Sequence, residues 1–237
     1  MTAPSSPMPR AERFPRAVLL DFDYTLGDSS PAIVECVHFA LRELGRAPVA
    51  PEVIRGTIGR SLAEMWRHFT GDVEGVDAFI RLYRQHADRV MVAQTAIFPY
   101  VPAALIRLQR QGRTLGIVSS KHGQRLAAIL EYHGLRAPFA VIVGGERVAR
   151  PKPDPAPLHV ALGELGCRPE QALYVGDSVV DAEAAQRAGV SFVAVASGVT
   201  PAAAFDPFPS WARLEHFGAL PELLEEYDDG TGQRSGS

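Results

Sequence analysis

Asp21, Asp23 and Thr25 stand directly after the apolar run AVLL, Ser119 and Ser120 after LGIV, and Asp177, Ser178 and Asp181 after ALYVG. Lys152 follows a further run, AVIV, inside RPKPDP. Carboxylates gathered without histidine or cysteine favour a hard divalent cation with oxygen ligands, Mg²⁺ more readily than Zn²⁺. Mg²⁺ in turn suits a phosphate substrate. Any one of these acids has a plainer reading as a loop carboxylate that caps a helix. The set differs because the ends of four runs supply a compatible group of acids, small hydroxyls and one ammonium. Of the 24 basic residues only two are lysines, Lys121 and Lys152, and both lie beside these segments. A compact ammonium and a planar guanidinium are not interchangeable, so the choice of Lys there carries information. Pro151 and Pro153 flank Lys152, push its backbone towards an extended conformation and stiffen its loop.

These residues need a frame that brings run ends together. Five short apolar runs read as buried strands: 17–20, 115–118, 140–143, 172–175 and 192–195. Between the later ones lie segments of helical periodicity, 102–111, 124–132, 157–165 and 182–188, each closed by a glycine. Strand and helix in alternation predict an α/β fold, a doubly wound (Rossmann-like) parallel sheet with ligands bound beyond the carboxyl ends of its strands. The first two runs are too far apart for a single crossover helix. Residues 29–95 therefore read as an inserted all-helical cap domain. One helix starts at Ser30-Pro31 and ends at Gly45, Ser61 and Glu64 form a capping-box pair, and a third helix runs over 76–92. Trp66, Phe69, Phe79 and Tyr83 are expected to form the cap's own core. The α/β core then comprises 16–28 and 96–227, between a flexible arm at 1–15 and a disordered tail at 228–237.

Composition sets the remaining bounds. With 237 residues, the chain is long enough for one large domain carrying an insertion. A net charge of −3 gives no basic excess for nucleic acid or a membrane surface, and no apolar run approaches the roughly 18 residues of a membrane span. Cys36 and Cys167 lack metal or disulfide spacing and read as small apolar residues, which fits a cytoplasmic location.

The segments DFDYTLGDS, VSSK, RPKPDP and GDSVVD, in that order, resemble the four motifs of the haloacid dehalogenase superfamily, and in particular its phosphoglycolate-phosphatase-like members with a helical cap. The resemblance spans nearly all of residues 16–227. It implies Asp21 as the nucleophile of an aspartyl-phosphate mechanism, Asp23 as general acid and base, Ser119 on the phosphoryl oxygens, and Lys152 neutralising charge shared by Asp21 and the phosphate. It implies Mg²⁺ held by the Asp21 carboxylate, the Asp23 carbonyl and Asp177, with Asp181 in support, and gives Thr25 and Ser120 a part in the phosphate loop. The substrate it implies is a small phosphate ester, with phosphoglycolate leading and pyrophosphate, sugar phosphates and nucleoside monophosphates as alternatives. Dehalogenases of the superfamily lack the second acid, present here as Asp23; phosphonatases need a cap lysine, absent from 29–95; and the hexose-phosphate mutases carry a cap-entry histidine where this chain has Ile33. A phospho-aspartate receiver, which stores phosphate without turnover, is the reading from another class, and the insertion and Asp23 oppose it. Tyr24 departs from the family, which usually has Gly there.

The cap segment RGTIGRSL reads as a turn, with Gly56 and Gly59 breaking the helical pattern and Arg55 and Arg60 free of neighbouring acids before Glu64. Arg55 and Arg60 are candidates to clamp a second anionic group of the substrate, and the alternative is that both are solvated. His122 reads as a surface residue at a helix start.

Overall fold

The computed structural model describes residues 14–230. The apolar runs pair in parallel as expected: β1 (Ala17–Leu20), β4 (Thr114–Val118), β5 (Phe139–Val143), β6 (Ala172–Gly176) and β7 (Ser191–Val195). A further edge strand, β8 (Ala212–Leu214), completes a sheet of order β5-β4-β1-β6-β7-β8 among the described residues. The chain leaves β1 for β4 and β5 on one side, then returns to β6 and continues outward on the other. That reversal opens a crevice at the carboxyl ends of β1, β4 and β6, the place where such sheets bind ligands.

Alternation along each strand divides the core into two layers. Val18, Leu20, Leu173 and Val175 face one cluster, and Ala17, Leu19, Ala172 and Tyr174 face the other. The first layer is covered by α5 (Val101–Arg110), α6 (Gly123–Tyr132) and α9 (Leu220–Asp228), the second by α7 (Ala156–Leu165) and α8 (Val179–Ala188).

The insertion enters through β2 (Gly27–Asp28) and leaves through β3 (Ala96–Ile97), which pair antiparallel as a two-stranded hinge. Between them lie α1 (Ser30–Glu43), α2 (Pro51–Arg55), α3 (Leu62–Thr70) and α4 (Val76–Gln94). Pro31 sits in the first turn of α1, and the Ser61–Glu64 capping box forms in both directions at the start of α3. Trp66, Phe79 and Tyr83 are buried, and the Trp66 indole N–H donates to the Glu74 carbonyl at 3.0 Å. Phe69 packs half-buried on the same cluster, which runs without a break from the cap into the first layer of the sheet. Cys36 and Cys167 are free, Cys36 buried and Cys167 half-buried. No helix of the described residues is long and apolar enough to cross a membrane.

The expected arm and tail lie mostly outside the described residues. At 14, 15 and 228 the chain is held instead of loose. Arg113 follows α5 with its side chain almost fully buried, and its guanidinium donates to the Pro15 carbonyl at 2.8 Å and to Asp228 at 2.6 Å. A buried guanidinium must find acceptors, and here both come from chain ends. Phe14 adds ring contacts to Trp211 and Tyr227.

Removing this cation takes a charge-assisted donor from the Asp228 carboxylate and a hydrogen bond from the Pro15 carbonyl. Arg113→Met is expected to cost about 3 kcal/mol, a fall in Tm of roughly 6–12 °C for a chain of this size. Thermal unfolding followed by circular dichroism measures it, and a fall below 2 °C would show that the clamp contributes nothing.

Candidate active site

Asp21 continues the register of β1, its N–H donating to the Val175 carbonyl of β6 at 2.9 Å. The chain then turns sharply: Leu26 N–H donates to the Phe22 carbonyl at 2.8 Å and Tyr24 N–H to the Gly27 carbonyl at 2.7 Å. Tyr24 has φ of 58°, and among the described residues no other non-glycine residue has a positive φ. The usual glycine of the family is thereby explained, because a Cβ in the left-handed region costs about 1–2 kcal/mol. Ser197 secures the strained residue by donating its hydroxyl to the Tyr24 carbonyl at 2.5 Å.

Beneath this loop lies a buried ionic group. The Lys152 ammonium donates to Asp181 Oδ1 at 2.6 Å and to the Tyr174 hydroxyl at 2.9 Å, and lies 3.2 Å from Asp21 Oδ1. Asp181 has neither oxygen to spare. Its Oδ2 accepts from the backbone N–H and the hydroxyl of Ser178, closing a capping box at the start of α8. Tyr174, read from sequence only as a strand residue, lies 2.9 Å from the Val118 carbonyl as well, so it ties the β4 and β6 ends together. Its signal was available: a buried tyrosine must place its hydroxyl somewhere polar.

Asp177 sits at the end of β6 and receives a long hydrogen bond from Thr25 Oγ1, 3.4 Å from its Oδ1. Thr25 thus steadies an acid. Gly198 approaches so closely that a Cβ there would fall 2.0 Å from Asp177 Oδ2, which makes glycine obligatory, and sequence reasoning passed over it. Asp21, Asp177 and Asp181 each present an oxygen within 4.8 Å of the others, and the set can hold a metal ion. The donors fit one. They are all oxygens, and Asp21 Oδ1 is buried without a hydrogen bond. Three carboxylates face one ammonium here, and when all three are ionised the excess of two negative charges is one a divalent cation would balance. The Asp23 carboxylate stands outside this cluster, on the cleft side, 3.2 Å from the Lys121 ammonium.

Burial raises the Asp21 carboxyl to about 6, against the pull of Lys152, with Asp181 and Asp23 adding to the rise. Burial first, then Asp181 and Asp21, push Asp177 well above the usual carboxylate range. Lys152, whose burial disfavours its charge, is held cationic by Asp181 and Asp21.

Above the sheet edge, the cap leaves a cleft of about 240 Å³, room for a small molecule and not for a polymer segment. Asp21, Asp23, Ser119, Ser120, Lys121 and Arg60 all line it. Ser119, at the end of β4, is buried beside Asp21. The Ser120 hydroxyl does not turn to the phosphate loop; it donates to the Gly59 carbonyl of the cap at 2.7 Å. Gly59, at φ of 99°, supplies the left-handed turn expected of RGTIGRSL. Arg60 follows it into the cleft, exposed, whereas Arg55 ends α2, pairs with Glu52 at 3.5 Å and lies outside the lining. His122 also lines the cleft, 3.9 Å from Glu146, so the surface position expected of it is a cleft position.

The sequence and fold match known proteins over most of the chain. Residues 18–195 match the haloacid dehalogenase-like hydrolase family. The chain belongs to that family. As a haloacid dehalogenase-like hydrolase it is 34% identical over 214 residues to a phosphoglycolate phosphatase of Cupriavidus necator, covering 88% of this chain and 92% of that one. A phosphoglycolate phosphatase of Rhodobacter capsulatus is 33% identical over 217 residues, covering 88% and 96%. Among solved structures, a haloacid dehalogenase-like hydrolase of Bacteroides fragilis superimposes with a TM-score of 0.84 at 40% identity, over 86% of this chain and 99% of the other.

The raised carboxyls of this hydrolase have a linkage consequence. Both Asp21 and Asp177 bind protons more tightly folded than unfolded, so their contribution to stability is full below about pH 4 and is lost as pH rises through the folded values. A cation in their midst restores it, and protons compete with that cation. The Tm increase on adding Mg²⁺ is therefore expected to be several degrees at pH 7.5 and to shrink towards zero at pH 5. Calorimetry at the two pH values checks it; an equal increase at both would place the cation elsewhere.

Proposed function

We propose that this hydrolase is a Mg²⁺-dependent phosphatase that cleaves a small phosphomonoester, with phosphoglycolate as the leading substrate, through an aspartyl phosphate (an acyl phosphate) formed on Asp21. The carrying observation is the division of labour between the two aspartates of DFD. Asp21 is turned inward to Lys152 and the acidic cluster, while Asp23 is turned outward into the cleft with its own lysine. That division supports a reading in which one carboxylate attacks phosphorus and the other handles a proton on the leaving side.

In the reaction, Asp21 attacks the phosphorus and the ester oxygen departs on the cleft side, where Asp23 donates a proton to it. After the leaving group diffuses away, Asp23 takes a proton from a water that attacks the phosphorus of the aspartyl phosphate, and Asp21 is regenerated. The Ser119 hydroxyl holds the phosphoryl oxygens, and Lys152 neutralises charge shared by Asp21 and the phosphoryl group, charge placed in advance in a water-poor pocket. Mg²⁺ would be held by Asp21, Asp177 and the Asp23 carbonyl, and when bound it supplies charge neutralisation at the phosphoryl group. Asp181, saturated by Lys152, Tyr174 and Ser178, holds Lys152 in register and keeps the loop after β6 in shape. The cap excludes water while the leaving group is enclosed. The names of the Cupriavidus and Rhodobacter relatives support phosphoglycolate as the first ester to test.

The test is inorganic phosphate release over a panel of phosphoglycolate, pyrophosphate, sugar phosphates and nucleoside monophosphates with Mg²⁺. Asp21→Asn is expected to abolish turnover with the fold intact. Asp23→Asn is expected to lower kcat by about 10² or more on an alkyl phosphate and by clearly less on p-nitrophenyl phosphate, whose leaving group needs no proton. Equal losses on the two esters would remove Asp23 from the proton-transfer role, and Asp21→Asn activity within tenfold of wild type would end the covalent reading.

A further inference from the structure

The two lysines of the site differ in how far their protons are used. Lys152 is surrounded: it donates two hydrogen bonds, to Asp181 and Tyr174, and its charge is met by Asp21 at 3.2 Å. Lys121 is not. Its side chain is 5% exposed, yet its nitrogen meets only Asp23 Oδ2, at 3.2 Å, and the thioether sulfur of Met91, at 3.6 Å. Sulfur is a weak acceptor, and a third N–H has no acceptor among the described residues. A buried ammonium short of acceptors is costly, and this one lines the cleft beside the acid that faces the leaving group.

We propose that Lys121 is the specificity-determining residue of the site: it receives a carboxylate carried on the same carbon that bears the ester oxygen, and so selects α-carboxylate esters of the phosphoglycolate type. The inference rests on the phosphatase reading above. To be protonated, the ester oxygen lies within about 3 Å of Asp23, and Lys121 lies 3.2 Å from the same carboxylate on the cleft side. The oxygens of an α-carboxylate sit about 3 Å from the ester oxygen by ordinary bond lengths, which carries them to the ammonium. An ester with a neutral group there leaves the charge unmet. The surroundings strengthen the discrimination, because Ile33, Met65, Tyr83 and Met91 wall this part of the cleft with low-polarity surface. The other cations of the lining are less suited. Arg125 is already paired with Asp88 at 2.5 Å, and Arg60 and Arg84 are exposed. The carboxylate reader is therefore on the core, one residue past Ser120, and not on the cap turn where Arg55 and Arg60 first drew attention.

The experiment compares kcat/KM for 2-phosphoglycolate with that for its primary amide, which has the same shape and no charge, with Mg²⁺ present. Wild type is expected to prefer the acid by roughly 10- to 100-fold, the range of a charge-assisted hydrogen bond. Lys121→Met and Lys121→Gln, which also deprive Asp23 of its partner, are expected to slow both esters but to bring the ratio near one, through KM for the acid. Lys121→Arg is expected to recover part of the ratio, and Arg60→Ala to move it less than either neutral variant. A ratio unchanged in Lys121→Met and Lys121→Gln, with both esters slowed together, would reduce Lys121 to a support for Asp23 and overturn the proposal. So would a wild-type enzyme that cleaves both esters without preference, which leaves the phosphatase reading standing. No phosphate release from either ester or from p-nitrophenyl phosphate would sink that reading and this one with it.

Discussion

Everything at the crevice depends on packing like charges where water is scarce. Asp21, Asp23, Asp177 and Asp181 are at most 9% exposed, at the mouth of one sheet, with two ammoniums for partners. Left alone, such a cluster would take up protons or force the loops apart. Its position is enforced instead by the most rigid part of the molecule, the three central strands β4, β1 and β6, whose ends are joined through the Tyr174 hydroxyl and Lys152. Asp181 is the residue on which the arrangement turns, since all four of its contacts hold something else in place. The residual negative charge is then available to a cation, and the strain is stored where a phosphoryl group can use it.

The helical insertion solves a different problem. A site open to solvent would lose the electrostatic advantage of its buried lysines, but a fixed lid would bar the substrate. The cap is attached through a two-stranded hinge of four residues and touches the core through polar contacts, Ser120 to Gly59 and Arg125 to Asp88 and the Arg84 carbonyl, with α4 packed on α6. These polar contacts must break for the cleft to open, while the apolar cluster shared with the sheet keeps the cap in register.

How much of this could be read from the chain follows from what kind of contact each residue makes. Asp21, Ser119 and Asp177 were legible because each stands at the end of a run that a buried strand requires, and strand ends converge by topology. The capping box at Ser61 was legible because it is local. The short elements β8 and α2 were not, since three or five residues carry no period, and α9 was obscured by the acidic, polar composition of the chain's end. Tertiary assignments were the harder part. Nothing local could tell that Ser120 would serve the cap, that Arg55 would turn to Glu52, or that Gly198 would be pressed against Asp177 from 21 residues away. Lys121 was conspicuous only by its rarity, and its role needed the position of Asp23.

The account's central claim is that Asp21 itself carries the phosphoryl group between substrate and water. Two in-line displacements at phosphorus restore its configuration, whereas one direct attack by water inverts it. Hydrolysis of a phosphorothioate analogue of the ester, made chiral at phosphorus with two oxygen isotopes and cleaved in water carrying the third, followed by analysis of the configuration of the released thiophosphate, reads that difference directly. The arrangement of Asp21, Lys152 and Asp23 predicts retention; inversion would contradict it and leave Asp21 as a metal ligand alone.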